Sequence, residues 1–248
     1  MTDYLSKLAL LNKQISHPQV TTQVKEINQI VNAISARELL KKAPVPLGLL
    51  PDQYEQILED IGTEKSQQLK ITNKLLNSLR QFLSLRYGIW SVPNLATIQQ
   101  IQDEFHPKQV LEIMAGNAYW SLGFKTLGID TIATDSNEWA KTSQTGSSPF
   151  IPVFDYDAIS AIRRFTQADL ILCSWAPNFT KDDLNVVQNW QKYNPHATLL
   201  FVGEKDGATN SPDFWHKQLF SHSAAITRIN DTFKSFDFID EQIFQVKQ

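Results

Sequence analysis

The stretch VLEIMAGNAYW, residues 110–120, decides how the rest of the chain is read. A strand-like apolar run broken by one acid, Glu112, leads to Gly116, which permits a sharp turn without a Cβ clash. Two large aromatics, Tyr119 and Trp120, follow at once. Where a strand runs through such a turn into a helix, backbone N–H groups converge and bind nucleotide-like ligands. A dinucleotide site needs several glycines so that a pyrophosphate can approach the backbone. Here the corresponding positions are Gly116, Ala118 and Ser121, and the two aromatics would crowd the phosphates. The stretch argues against NAD and FAD.

Outward from it, short apolar runs alternate with helical segments. The runs are 109–114, 131–135, 150–154, 169–175 and 198–204. This alternation predicts a doubly wound, mostly parallel α/β sheet. A helix over 119–127 stops at Gly128, Thr180 and Asp183 read as a capping box opening 181–193, and Ser211-Pro212 reads as a helix start. AITRI (225–229) and EQIFQVKQ (241–248) read as a final antiparallel strand pair, which brings the expected sheet to seven strands. Residues 1–88 differ in texture. Val24, Ile27, Ile30, Val31, Ile34 and Leu39 follow the spacing of one buried helix face. Leu69, Leu75, Leu76, Leu79, Phe82 and Leu83 suggest a second long helix, after a Pro-rich connector at 43–53. The expected organisation is an all-helical N-terminal region, 1–88, and a Rossmann-like domain, 89–248. Within the latter, Leu95, Ile98, Ile101 and Phe105 predict a first helix ended by His106-Pro107.

Composition sets the outer bounds. At 248 residues with 42% hydrophobic and 20% charged side chains, the chain has the make-up of a globular protein. Its net charge of −3 gives no overall basic footprint for nucleic acid. Residues 1–90 carry 11 Lys and Arg against 8 Asp and Glu, and the remainder 12 against 18. The single Cys173 rules out an internal disulfide or a multi-cysteine zinc site, and its apolar setting predicts an inert buried thiol. No apolar run approaches the ~20 residues that span a bilayer, and the first residues show no signal-peptide core. A cytoplasmic protein without a metal is the expectation.

In an open α/β sheet, ligands bind beyond the carboxyl ends of the strands. His106 and His196 precede their strands and read as structural or surface groups. Glu112, Asn117, Asp135, Asp155, Asp157, Ser174, Trp175, Glu204 and Asp206 fall at the useful end. S-adenosylmethionine (SAM) suits the 112–120 turn better than a dinucleotide, since it has no phosphate and needs one sharp turn. An acid near the strand end attracts its ammonium group.

LEIMAGNAYWSLGFKTLGIDTIATD, residues 111–135, resembles the first two motifs of the class I SAM-dependent methyltransferases, with Met114 and Ala118 where glycines are common. The resemblance covers about residues 88–248. It implies a cofactor site formed by Glu112, Ala115, Gly116, Asn117, Asp135, Ser136, Asp157, Ala158 and Ser174. In that reading Asp135 grips both ribose hydroxyls, and Asp157, in DYDA (155–158), accepts the adenine amino hydrogen, with Asp155 its rival. DLILCSWAP (169–177) matches the fourth-strand motif that meets the transferring methyl. It lacks the Asn/Asp-Pro-Pro-aromatic pattern of amino-methylating nucleic-acid enzymes. The acidic balance of the C-terminal half favours a small-molecule acceptor, with Tyr87, Trp90, Tyr119, Trp175, Pro177 and Glu204 as candidates to hold it. Trp120 and Trp139 are further candidate pocket walls, YGIW (87–90) a candidate lid, and KTSQTGSSP (141–149) a candidate mobile loop. Glu204, Asp206 and His216 are candidate bases, and no catalytic residue is assigned. The rival expectation is a methyltransferase-like binding protein that no longer catalyses and whose helical region recruits a partner. The oligomeric state is left open.

Overall fold

The computed structural model describes residues 3–138 and 148–248; Trp139 and most of the 141–149 loop lie outside the described residues. Helices α1 (Asp3–Ile15), α2 (Pro18–Ser35), α3 (Pro51–Ile61), α4 (Ser66–Leu76) and α5 (Leu79–Tyr87) come first. The apolar stripe of α2 is buried as its spacing predicts, from Val20 to Ile34, and Leu39 lies past its end. The second long helix is instead two. Asn77 and Ser78 break it by turning their side chains onto the Asn73 and Leu75 carbonyls, an alternative to the helical ladder.

Six strands follow: β1 (Gln109–Ile113), β2 (Asp130–Asp135), β3 (Val153–Asp155), β4 (Leu170–Ser174), β5 (Thr198–Glu204) and β6 (Glu241–Gln245). They pair in the order β3-β2-β1-β4-β5-β6, parallel except for β6. The intervening helices are α6 (Leu95–Phe105), α7 (Tyr119–Thr126), α8 (Ala158–Arg164), α9 (Asp182–Tyr193), α10 (Pro212–Lys217) and α11 (Ala224–Thr232). Seven strands were expected and six are formed among the described residues. AITRI is helical because Ser223 caps it through the Ile226 N–H and Ile226 and Ile229 bury one face at helical spacing. At the outer side of β6 only an isolated bridge, Phe220 to Val246, remains. The capping box at α9 does not form either. Asp183 is buried and accepts from the Ser211 N–H at 2.5 Å and the Ser211 hydroxyl at 3.1 Å, tying α9 to the start of α10.

Alternation along the strands sorts two cores. Val110, Leu170, Leu172, Leu200 and Val202 face one way and pack with residues of the N-terminal helices, α6, α7 and α11. Leu111, Ile113, Ile171, Cys173, Leu199 and Phe201 face the other way, against α8, α9 and α10. Gly123 lets α7 approach α6 closely; a Cβ there would lie 2.8 Å from both Ile98 and Leu39.

The two ends of the chain meet at Arg80 on α5. Its Nε and Nη2 donate to the two Asp237 oxygens at 2.8 Å each, and Nη1 donates to Glu241 at 2.9 Å and to the Trp90 carbonyl. The guanidinium lies 4.7 Å from the Trp175 ring centroid and 4.4 Å from that of Phe236. Burial alone would lower its pKa, and Glu241 and Asp237 outweigh that to raise it, so it is charged at every ordinary pH. Removing one partner of such a buried cluster strands the remaining charges. Arg80→Met is expected to cost about 3–5 kcal/mol, read as the loss of unfolding free energy in urea; a loss under about 1 kcal/mol, the range of exposed pairs, would contradict it.

Candidate functional site

The strand order reverses between β1 and β4, and a cavity of about 480 Å³ opens beyond the carboxyl ends of the strands there. That is where an open α/β sheet leaves a crevice, and the volume is within the ~300–1,000 Å³ of small-molecule sites. The cavity brings together all nine residues expected to hold a cofactor: Glu112, Ala115, Gly116, Asn117, Asp135, Ser136, Asp157, Ala158 and Ser174. Trp90, Tyr119, Trp175 and Pro177 also line it. The structure adds Met114, Ile159 and Asp182, which stand beside the expected positions. It also adds Ser91, which no motif marks, and brings in Gly88 and Ile89 of the candidate lid YGIW.

The floor is built on Glu112. It occupies an inward position of β1, opposite Leu172 of β4, and is only 2% exposed. Its Oε2 accepts from the Ser121 N–H at 2.8 Å and from the Ser121 hydroxyl. Ser121 stands in the first turn of α7, whose N-cap residue, Ala118, has no side chain able to cap. A carboxylate from the strand therefore serves the positive end of that helix. Burial pushes the Glu112 carboxyl up to about 7; the Ser121 hydrogen bonds oppose this and the nearby Asp135 adds to it.

The turn itself is left-handed at alternate residues. Met114, Gly116 and Ala118 have φ of 52°, 52° and 60°. Only one of the three is glycine, yet all adopt the conformation glycine favours, which costs a non-glycine residue roughly 1–2 kcal/mol. The crowding expected of Tyr119 and Trp120 does not close the turn. Both are buried, Tyr119 bonding the helical region through its hydroxyl to the Glu38 carbonyl at 2.8 Å and Trp120 the segment after it through Nε1 to Ser91 at 3.1 Å.

Asp135 ends β2 with its carboxylate at the cavity. Oδ2 accepts from the Gly116 N–H and Oδ1 from the Asn137 N–H, each at 2.8 Å. Each oxygen has a second lone pair, so the group both holds the turn and can accept from a ligand. Asp157 caps α8, with one oxygen on the Ile159 and Ser160 N–H groups and the other on the Ser160 hydroxyl. These bonds, with the Ser160 hydroxyl foremost, hold its pKa below the ordinary range.

The wall beyond β4 is aromatic. Trp175 has φ of 57°, an unusual conformation for a bulky residue. It is held by its Nε1 donating to Glu241 at 2.7 Å, by Arg80 over its ring, and by Trp90 stacked at 5.4 Å. Two expected acceptor residues lie elsewhere. Glu204 turns away to bind the Ala208 N–H at 2.8 Å and the Asp240 N–H at 3.1 Å, as its place before a tight turn allows. The Tyr87 hydroxyl bonds Ser35, and only its carbonyl serves the site, accepting from Asn117 at 2.5 Å. Asp206 and His216 do not line the cavity. Among the described residues there is no cluster able to hold a metal ion, and no helix is long and apolar enough to cross a membrane.

No protein-family model and no curated protein matches the chain. Among solved structures it is similar to the plantazolicin methyltransferase BpumL in complex with SAH, at 11% identity and a TM-score of 0.41, over 62% of this chain and 83% of that one. It is similar to the mitomycin 7-O-methyltransferase MmcR at 10% and 0.40, over 100% of this chain and 74% of that one. It is also similar to the E81Q mutant of MtNAS at 9% and 0.38, over 100% and 99%. Its neighbours in fold include SAM-dependent methyltransferases. Of several such structures the chain spans only 63–64% of the length. At these identities and scores residue roles do not transfer.

The raised pKa of Glu112 gives a testable sign. The group's ordinary value is 4.5, and the folded value is about 7. Between them the folded protein keeps a proton that the unfolded chain releases. Stability is therefore favoured below pH 4.5 and lost as pH rises through 7, by on the order of 3 kcal/mol in all. In Glu112→Gln this component disappears, so the difference in urea stability between wild type and variant should change across that window. A constant difference would show that Glu112 titrates normally.

Proposed function

We propose that this protein is a SAM-dependent methyltransferase acting on a small molecule, in the cytoplasm. The observation that carries the reading is the cavity at the strand-order reversal, where the left-handed turn at Gly116 faces the carboxylate of Asp135. The donor set fits an adenosyl sulfonium. Glu112, near the end of β1, lines the cavity and in its ionised form would attract the ammonium; Ala115, Gly116 and Asn117 would follow the methionine tail. Asp135 and Ser136 would take the ribose hydroxyls, and the first turn of α8, with Asp157 and Ala158, would meet the adenine. Ser174 would sit beside the reacting end. The absence of a basic residue from the lining, among the described residues, agrees with a ligand that carries positive charge rather than phosphate.

When bound, SAM supplies a methyl group already activated for in-line displacement. The chain then has to align the acceptor and exclude water. Trp90, Trp175 and Pro177 provide the apolar side on which the acceptor is held. A base is required only where the acceptor must lose a proton early, and Asp182 is the carboxylate on the β4 side of the cavity.

A second reading, a binding protein without catalysis, is favoured by Met114 and Ala118, whose side chains stand where glycine suits the backbone better. Cofactor binding separates the two, since only the first reading requires it.

Calorimetry is expected to detect saturable binding of SAM and of S-adenosylhomocysteine. Binding of neither at millimolar concentration would sink the methyltransferase reading. Asp135→Ala is expected to weaken each ligand by about 1.5–3 kcal/mol, the scale of a hydrogen bond to a charged group. An unchanged dissociation constant would limit Asp135 to holding the turn.

A further inference from the structure

We propose that the acceptor is a flat aromatic compound without negative charge, and that Trp90 is the platform on which it stacks. The proposal rests on the methyltransferase reading and concerns the part of the cavity beyond the cofactor residues. Trp90 follows α5 on the segment that enters the sheet domain, and lines the same cavity as Gly116 and Asp135. It is 51% exposed, although one of the largest apolar side chains in the molecule. A stacked partner already occupies part of it: Trp175 lies 5.4 Å away with 22° between the planes. What remains open is therefore aromatic surface, beside a cavity and facing solvent.

That surface is fixed in place. The Trp90 carbonyl accepts from buried Arg80, whose guanidinium also lies over the Trp175 ring. Trp175 in turn is fastened by Glu241 and kept in a left-handed backbone. Three elements distant in sequence, α5, the end of β4 and the start of β6, thus converge on one indole pair. An aromatic face held rigid before the ligand arrives loses little freedom on binding, which favours a planar partner. Ile89, Met114, Ile159 and Pro177 supply further apolar lining.

Charge narrows the class. The carboxylates of Asp135, Asp157 and Asp182 line the cavity, and no Lys, Arg or His does so among the described residues. An anionic acceptor would meet repulsion there, whereas a neutral or cationic heteroaromatic would not.

The experiment titrates three probes into protein saturated with S-adenosylhomocysteine, read by calorimetry. These are proflavine (flat and cationic), naphthalene-2-sulfonate (flat and anionic) and cyclohexylamine (cationic and not flat). Proflavine is expected to bind tightest. Trp90→Leu, apolar but not flat, should weaken it about tenfold, the scale of one aromatic stack, and Trp90→Phe should retain most of the affinity. Both variants should bind S-adenosylhomocysteine as wild type does, which reports that they are folded. Equal proflavine affinity in wild type and Trp90→Leu would overturn the proposal, as would equal binding of either control probe. Failure of S-adenosylhomocysteine to bind wild type would instead overturn the methyltransferase reading, and proflavine titrated into the unliganded protein would still test the platform.

Discussion

A single buried guanidinium holds the architecture together. Arg80 comes from the last N-terminal helix, and its two carboxylate partners, Asp237 and Glu241, from the end of the chain. A charge removed from water is tolerated only when its hydrogen-bonding groups are matched. Here the two Asp237 oxygens, one Glu241 oxygen, the Ser235 hydroxyl and the Trp90 carbonyl provide that match. The same cluster determines where β6 begins, because Glu241 is both its first residue and the acceptor for Trp175. Replacing Arg80, Asp237 and Glu241 together by hydrophobic groups would strand no charge, unlike replacing Arg80 alone, but it would not fix Trp90 and Trp175 in one orientation.

The turn after β1 shows a second economy. A loop with glycine at three alternate positions would take its left-handed geometry freely, and this one has glycine only at the centre. Surrounding contacts impose the geometry on the other two. Asp135 holds the Gly116 N–H, Glu112 holds Ser121, and the Ala118 N–H reaches the Ala115 carbonyl at 2.7 Å. Backbone held in a sparsely populated region by over-determined contacts is characteristic of ligand sites. Trp175, at the opposite side of the cavity, is held in the same manner.

The sequence was legible where one interaction dominates. Strands β4 and β5 carry nearly continuous apolar runs, β1 carries one interrupted only by Glu112, and the α2 stripe has a single period, so these stood out. Glu112, Asp135 and Asp157 fell into the cavity because topology places them there, whereas Asp155 and Asp206 do not line it. It was less legible where a local signal competed with context. AITRI has the composition of a strand, yet Ser223 and the spacing of Ile226 and Ile229 make it helical. The seventh strand was lost with it. Thr180 and Asp183 have capping-box spacing, but Asp183 finds better donors at Ser211. Glu204 ends a strand as Asp135 does, yet the next turn takes its carboxylate and it does not line the cavity. Arg80 offered no signal at all, since its carboxylate partners are more than 150 residues away.

The N-terminal helices are part of the site's construction. The first turn of α7, whose backbone lies against the cavity, is stitched to them or to the segment that follows them at three points. Tyr119 reaches Glu38, Trp120 reaches Ser91, and Asn117 reaches the Tyr87 carbonyl. Gly88 to Ser91 then supply one wall outright. A ligand that settles against both this wall and the Gly116 turn must favour the arrangement in which they are docked, so binding and docking are thermodynamically linked. Mutations in the helical region that touch no ligand should therefore act through the population of the docked arrangement. Their effect would be a uniform loss of affinity across ligands, unlike the selective loss expected when a contacting group such as Asp135 is removed.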